Sequence, residues 1–288
     1  MRHAREPLLA KWIQAARPRT LPAAVVPVAL GACSVHPRSI NPLATTLAAV
    51  VALALQIATN YANDYSDGVK GTDEVRVGPF RMTASRLVPA RKVRRAAFVW
   101  FGVAALVGLG LAALSSWWFI AIGASALLAG WFYTGGPKPY GYVGLGELFV
   151  MIYFGFVATV GTAFAQHHHI PTRAWWLGLA AGSMACALLE ANNLRDADTD
   201  LGVGKKTLAA RLGRRRGSWL YVACALGVGV GAGMAYRGAF VFALAYLVPI
   251  VTLVFSAKRG RELLPLLAQS AQIQLLSGLG LCVVLLAA

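Results

Sequence analysis

Charge is scarce in this sequence, and acidic charge scarcer still: charged residues make up 13% of the chain, with 11 Asp and Glu against 27 Lys and Arg. Soluble domains commonly carry charge on about a quarter of their residues. A chain of 288 residues that is 58% hydrophobic is therefore excluded from the soluble globular class and placed in a membrane. Cysteine pairing is missing as well. Cys33, Cys186, Cys224 and Cys282 sit singly in apolar runs with no CxxC spacing, so a thiolate metal cluster and a disulfide framework both fall away. They read as small buried hydrophobes. Polar linkers are absent too: the longest polar stretch, about 64–95, is too short for a domain of its own, so residues 1–288 read as a single domain. Arg2 and Arg5 precede an apolar run broken by Pro22 and Pro27, with no small-residue cleavage site after it, and no removable signal peptide is expected.

Long uncharged stretches alternate instead with short basic ones. A bilayer-crossing helix needs roughly 20 mostly apolar residues. On that ruler the sequence predicts about nine spans, centred near Pro27, Leu53, Leu106, Ser125, Phe154, Ala181, Val228, Ala245 and Leu279. The expected fold is all-α: a polytopic membrane helical bundle around a central cavity. Its cytoplasmic caps are expected at about 64–95 and 194–216. If the N-terminus is cytoplasmic, all but three of the 27 basic residues fall on the inner side, the three being Arg38, Arg173 and Arg237. Such asymmetry sets the N-terminus inside and the C-terminus outside. It also accounts for the net charge of +16 without nucleic acid.

Every Asp and Glu falls on that same inner side or in the helix turns nearest it. Orientation rules govern Lys and Arg and say little about acids, so this clustering has a separate cause, for which a polar active site at the inner interface is the candidate. Two constellations stand out. At the inner end of the second span, Asn60, Asn63, Asp64 and Asp67 share one helical face at i, i+3, i+4 and i+7. At the inner end of the sixth, Asn192, Asn193, Asp196 and Asp200 also share a face, while Asp198 points roughly opposite. Both contain Asn-x-x-x-Asp, a faint internal repeat. Two such helices facing one another would bring carboxylates to a shared cavity, where Mg²⁺ suits hard oxygen donors and can bridge diphosphate oxygens. The plainer reading is that these acids pair with nearby Arg and Lys at helix ends. Charged groups at the edge of a membrane bundle usually mark a site or pathway, which leaves an enzyme and a cation-coupled transporter open. A transporter places its site near the bilayer midplane.

At these residues the chain resembles the UbiA-like superfamily of intramembrane aromatic prenyltransferases, closest to its menaquinone branch of 1,4-dihydroxy-2-naphthoate polyprenyltransferases. Four ordered motifs carry the likeness: Asn63-Asp64-Tyr-Ser-Asp67-Gly-Val-Lys70-Gly71-Thr-Asp73 with Arg76 to Arg81; Tyr133 through Lys138 and Tyr140 to Glu147; Asn192-Asn193-Leu-Arg195-Asp196-Ala-Asp198-Thr-Asp200; and Gly204-Lys205-Lys206-Thr207 to Gly213. The resemblance implies Mg²⁺-dependent transfer of a polyprenyl group from polyprenyl diphosphate to 1,4-dihydroxy-2-naphthoate, with decarboxylation, giving demethylmenaquinol. It implies Asp64, Asp67, Asp196 and Asp200 as Mg²⁺ ligands, with Asp73 in a supporting place because it lies beyond Gly68 and Gly71. Lys138, Arg76 and Arg81 would brace the diphosphate. Asn60, Asn63, Asn192 and Asn193 would orient acids or substrate, or else hydrogen-bond between helices. Tyr133 and Tyr140 would shield an allylic cation, or else anchor the membrane interface. The prenyl tail needs an apolar groove open to membrane lipid, and the expected location is the inner (cytoplasmic) membrane, multi-pass. Another branch, with 4-hydroxybenzoate or homogentisate as acceptor, is the alternative. Replacing Asp64 or Asp196 by Ala is expected to remove activity and leave the fold intact. His167, His168 and His169 lie on an outer connection and read as a solvated loop.

Overall fold

A computed structural model describes residues 7–73, 80–256 and 258–288. Among them there are helices and turns but no strand. We number ten helices: α1 Leu8–Ala15, α2 Pro22–Cys33, α3 Pro42–Val69, α4 Ala90–Leu114, α5 Trp118–Phe132, α6 Gly146–His167, α7 Thr172–Gly202, α8 Leu208–Ala235, α9 Ala239–Phe255 and α10 Gly260–Ala287. Six of them (α3, α4, α6, α7, α8 and α10) are long and apolar enough to cross a membrane, and α2, α5 and α9 are shorter apolar helices. Each centre predicted from the sequence falls inside one of these nine. Pro27 stands inside α2, and α9 opens with 3₁₀ turns at Ala239–Tyr246 before becoming α-helical. The short amphipathic α1 ahead of the first apolar run was not expected.

Caps and punctuation set the helix bounds. Asn41 accepts from the Ala44 N–H at 3.1 Å with Pro42 at the first helical position, which starts α3. Gly71 and Gly204, both with positive φ, follow the polar ends of α3 and α7. Lipid tails are as apolar as a leucine side chain, so helices associate there through close packing rather than through exclusion of water. α7 supplies the close packing: Ala174, Gly178, Ala181, Gly182, Ser183 and Ala185 are all buried, and the helix is surrounded by α2, α6, α8 and α10. α3 pairs with α4, and α5 closes against both. Large apolar side chains point outward, among them Leu106, Trp118, Leu276 and Val283, an arrangement that only lipid tolerates over such an area. The four cysteines are buried and unbridged.

The expected caps need correction at one place. Of the expected stretch 64–95, residues up to Val69 and from Ala90 are helical and 80–89 are not, and the stretch 194–216 is helix on both sides of a five-residue connection at 203–207. Its charge belongs to the ends of two helices rather than to a loop, and Arg195, Asp196 and Asp200 among it are buried.

Candidate active site

The four polar residues at the end of α3 fall on one face and are all buried. Each has a different anchor. Asn60 Nδ2 donates to the Ala16 carbonyl at 2.8 Å and to Thr20 Oγ1 at 3.2 Å, which ties α3 to the junction of α1 and α2. Asn63 Oδ1 accepts from Thr134 Oγ1 at 2.8 Å. Asp64 accepts the backbone N–H groups of Met82 and Thr83, each at 2.8 Å, and so holds the connection 80–88 over the helix end. Gly68 makes that approach possible, because a Cβ there would lie 2.5 Å from the Thr83 side chain. Asp67 Oδ1 accepts from the Tyr142 hydroxyl at 2.8 Å, and its other oxygen lies 3.6 Å from Arg81 Nη2. Arg81 Nε is 3.1 Å from Asp73, so one buried guanidinium bridges two carboxylates.

The end of α7 is built differently. Arg195 donates to both oxygens of its neighbour Asp196, at 2.7 and 2.6 Å, and to Asn192 Oδ1 at 2.8 Å. Asn193 Nδ2 donates to Glu147 Oε1 at 2.9 Å. Asp200 lies 3.8 Å from Lys205 Nζ. Asp198 stands exposed on the other face, 3.9 Å from Arg259.

Tyr142 joins the two ends. Its hydroxyl holds Asp67, its carbonyl accepts the Lys206 N–H at 2.9 Å, and the ammonium groups of Lys70 and Lys205 lie 4.8 and 5.5 Å from its ring centroid. Burial pushes its phenol well above the ordinary range and the charge of Asp67 adds to the rise, so it remains a donor. Lys70 Nζ also donates to the Thr134 carbonyl at 2.7 Å.

Some of these groups line a cavity of about 450 Å³. Asn60, Asn63, Asp67, Arg81, Tyr133, Tyr140, Asn192, Asn193 and Lys205 stand in its wall, and the remainder is largely apolar, from Leu55 and Leu127 to Phe119 and Phe154. Lys138 is exposed and outside that wall; Lys205 and Arg17 are the further cations within it. Arg76 lies outside the described residues. Tyr142, Lys70, Lys205 and Thr134 went unassigned in the sequence reading, although each lies within or beside a quoted motif.

Among the described residues no group of three His, Cys, Asp or Glu side chains converges as a metal-ligand set. The donor chemistry nevertheless fits Mg²⁺: Asp67, Asp73 and Asp200 present carboxylate oxygens in cation pairs of 3.1 to 3.8 Å, and hard oxygens are what that ion takes. Asp64 and Asp196 instead have both oxygens engaged by N–H donors.

Fold and site together define a multi-pass membrane protein built around one amphiphilic cavity, apolar along most of its wall and ionic at its mouth. The chain belongs to the UbiA prenyltransferase family, whose profile matches residues 24–277. It is 44% identical over 279 residues to the 1,4-dihydroxy-2-naphthoate octaprenyltransferase of Mycobacterium tuberculosis (strain ATCC 25618 / H37Rv), covering 90% of each chain. It is 34% identical to the protein of that name from Haemophilus influenzae, covering 93% of each. Its fold is similar to a UbiA homologue from Archaeoglobus fulgidus bound to GPP and Mg²⁺, with a TM-score of 0.65 at 14% identity over 96% of this chain and all of that one (100%). The apo UbiA homologue from Aeropyrum pernix K1 gives 0.67 at 16% identity, covering 96% and 98%.

Proposed function

We propose that this protein transfers a polyprenyl group from a polyprenyl diphosphate to 1,4-dihydroxy-2-naphthoate in menaquinone biosynthesis. The ring carbon forms the new bond, the C–O bond to diphosphate breaks, and pyrophosphate and carbon dioxide leave, giving demethylmenaquinol. The observation that carries this reading is the cavity itself: a largely apolar chamber whose charged lining among the described residues is Asp67, Arg81, Lys205 and Arg17 suits a lipid tail ending in a diphosphate. The relatives' names supply the acceptor.

Asp67 and Asp200, supported by Asp73, would hold Mg²⁺, which when bound neutralises diphosphate charge and favours its departure. Arg81 and Lys205 brace the phosphate oxygens and stabilise charge as it develops. Asp64 keeps the 80–88 connection closed over the mouth, and Asp196 fixes Arg195 and, through it, Asn192. Tyr133 and Tyr140, with ring centroids 5.4 Å apart, present faces toward the reacting carbon. We further place the protein in the inner (cytoplasmic) membrane as one domain, with the N-terminus and the aspartate site on the cytoplasmic side, as the distribution of Lys and Arg supports.

Purified protein with Mg²⁺, a polyprenyl diphosphate and dihydroxynaphthoate is expected to release pyrophosphate and form a prenylated naphthoquinol. Turnover of 4-hydroxybenzoate or homogentisate with none of dihydroxynaphthoate would move it to another branch. Substrate flux in proteoliposomes without prenyl transfer would make it a transporter.

A further inference from the structure

Away from the aspartates, one pair of acids lies inside the bundle: Glu147 in the first turn of α6 and Glu190 in α7, the latter 0% exposed. The two carboxyl groups lie against each other, and Glu147 Oε2 and both Glu190 oxygens are buried with no hydrogen-bond donor among the described residues. An ionised carboxylate only accepts, so a hydrogen bond between the two would need a proton on one of them. Like charges in contact away from water also disfavour double ionisation. Space for the Glu190 carboxyl comes from Gly217 of α8, where a Cβ would lie 3.0 Å from Oε1.

The pair reaches the cavity through one residue. Asn193 donates to Glu147 Oε1 at 2.9 Å, and because that oxygen accepts, the amide NH₂ must face Glu147. The Asn193 carbonyl oxygen is thereby left for the cavity, whose wall Asn193 forms. On the same wall Tyr133, Tyr140, Phe149 and Tyr153 follow one another with ring centroids 5.4, 4.0 and 6.2 Å apart. A flat aromatic molecule packs well on such a surface.

We propose that Glu147 and Glu190 share one proton and act as positioning residues, fixing Asn193 so that its carbonyl oxygen accepts a hydroxyl of the aromatic acceptor lying on the Tyr133–Tyr153 wall. This rests on the acceptor reading above. It gives a role to two buried acids that the metal and diphosphate chemistry leaves unused.

The test uses the full-length protein in lipid nanodiscs with Mg²⁺, and varies each substrate separately. Asn193→Ala and Glu190→Ala are expected to raise KM for dihydroxynaphthoate about tenfold, the loss of one well-placed hydrogen bond, and leave KM for polyprenyl diphosphate within about twofold. Glu190→Gln restores a donor to Glu147 and is expected to behave as the parent in both. Infrared spectroscopy provides a readout independent of turnover: the parent should show a protonated carboxylic C=O band that shifts in D₂O and is lost in Glu190→Gln. Absence of that band, its persistence in Glu190→Gln, or an equal rise of both KM values in Glu190→Ala overturns the proposal. If the band behaves as stated but the parent ignores dihydroxynaphthoate and prenylates another phenol, the acceptor reading fails and the shared proton stands.

Discussion

Asp64 and Asp67 lie three residues apart on α3, yet their oxygens meet different chemistry. Asp64 accepts two backbone N–H groups, and hydrogen bonds to a charged group contribute roughly 1.5–3 kcal/mol each. Asp196 is paired bidentately with a buried Arg195, and removing one member of a buried pair costs roughly 3–5 kcal/mol. The sequence-based expectation that Asp196→Ala leaves the fold intact is therefore revised: we expect it to lose activity and melting temperature together. Asp67→Ala and Asp200→Ala are expected to lose activity of order a hundredfold or more and to need more Mg²⁺ for half-saturation. An unchanged Mg²⁺ titration in both would remove them as ligands. Tyr142→Phe keeps the ring beneath Lys70 and Lys205 but deletes the donor to Asp67. Its expected cost is about fivefold in activity, equivalent to ~1 kcal/mol, read in the same titration; a parent-like result would make that hydrogen bond dispensable.

The ends of two helices and one connection make the site, and they differed in how far the sequence revealed them. A 3.6-residue period places Asn60, Asn63, Asp64 and Asp67 on one face whatever the surroundings, and the structure buries all four. The partners of that face were hidden, because Tyr142 and Thr134 approach from 75 and 71 residues away and no local pattern encodes such a meeting. Lys138 and Lys205 look alike in the sequence, yet only Lys205 reaches the cavity wall. Charge alone likewise made 194–216 look like a cap, when α7 and α8 run through all of it but 203–207. Closure of the connection over α3 depends on Gly68. Gly68→Leu is expected to dislodge residues 80–88, and with them Arg81, giving a folded protein with severely reduced transfer and faster proteolysis of that connection. Wild-type cleavage and activity would show that the close approach to Thr83 is not required.

Across the whole molecule, the balance of Lys and Arg makes a directional claim. With the four native cysteines buried, a single introduced thiol can be read against a low background. Lys206→Cys is expected to react with a membrane-impermeant reagent only from the cytoplasmic face, and Arg237→Cys only from the other; the reverse pattern would invert the topology and move the aspartates outside.

Residence in a membrane, the places of the nine apolar helices and the shared faces of Asn and Asp were determined by the sequence itself, since each follows from hydropathy and period along a continuous stretch of chain. The tertiary structure alone decided which partner each acid meets: Tyr142 and Arg81 for Asp67, Arg195 for Asp196 and backbone N–H groups for Asp64. It also decided which lysine faces the cavity and that Glu147 meets Glu190. Those outcomes depend on contacts between residues far apart in the chain, where packing of α3, α6 and α7 sets the distances and local spacing carries no information.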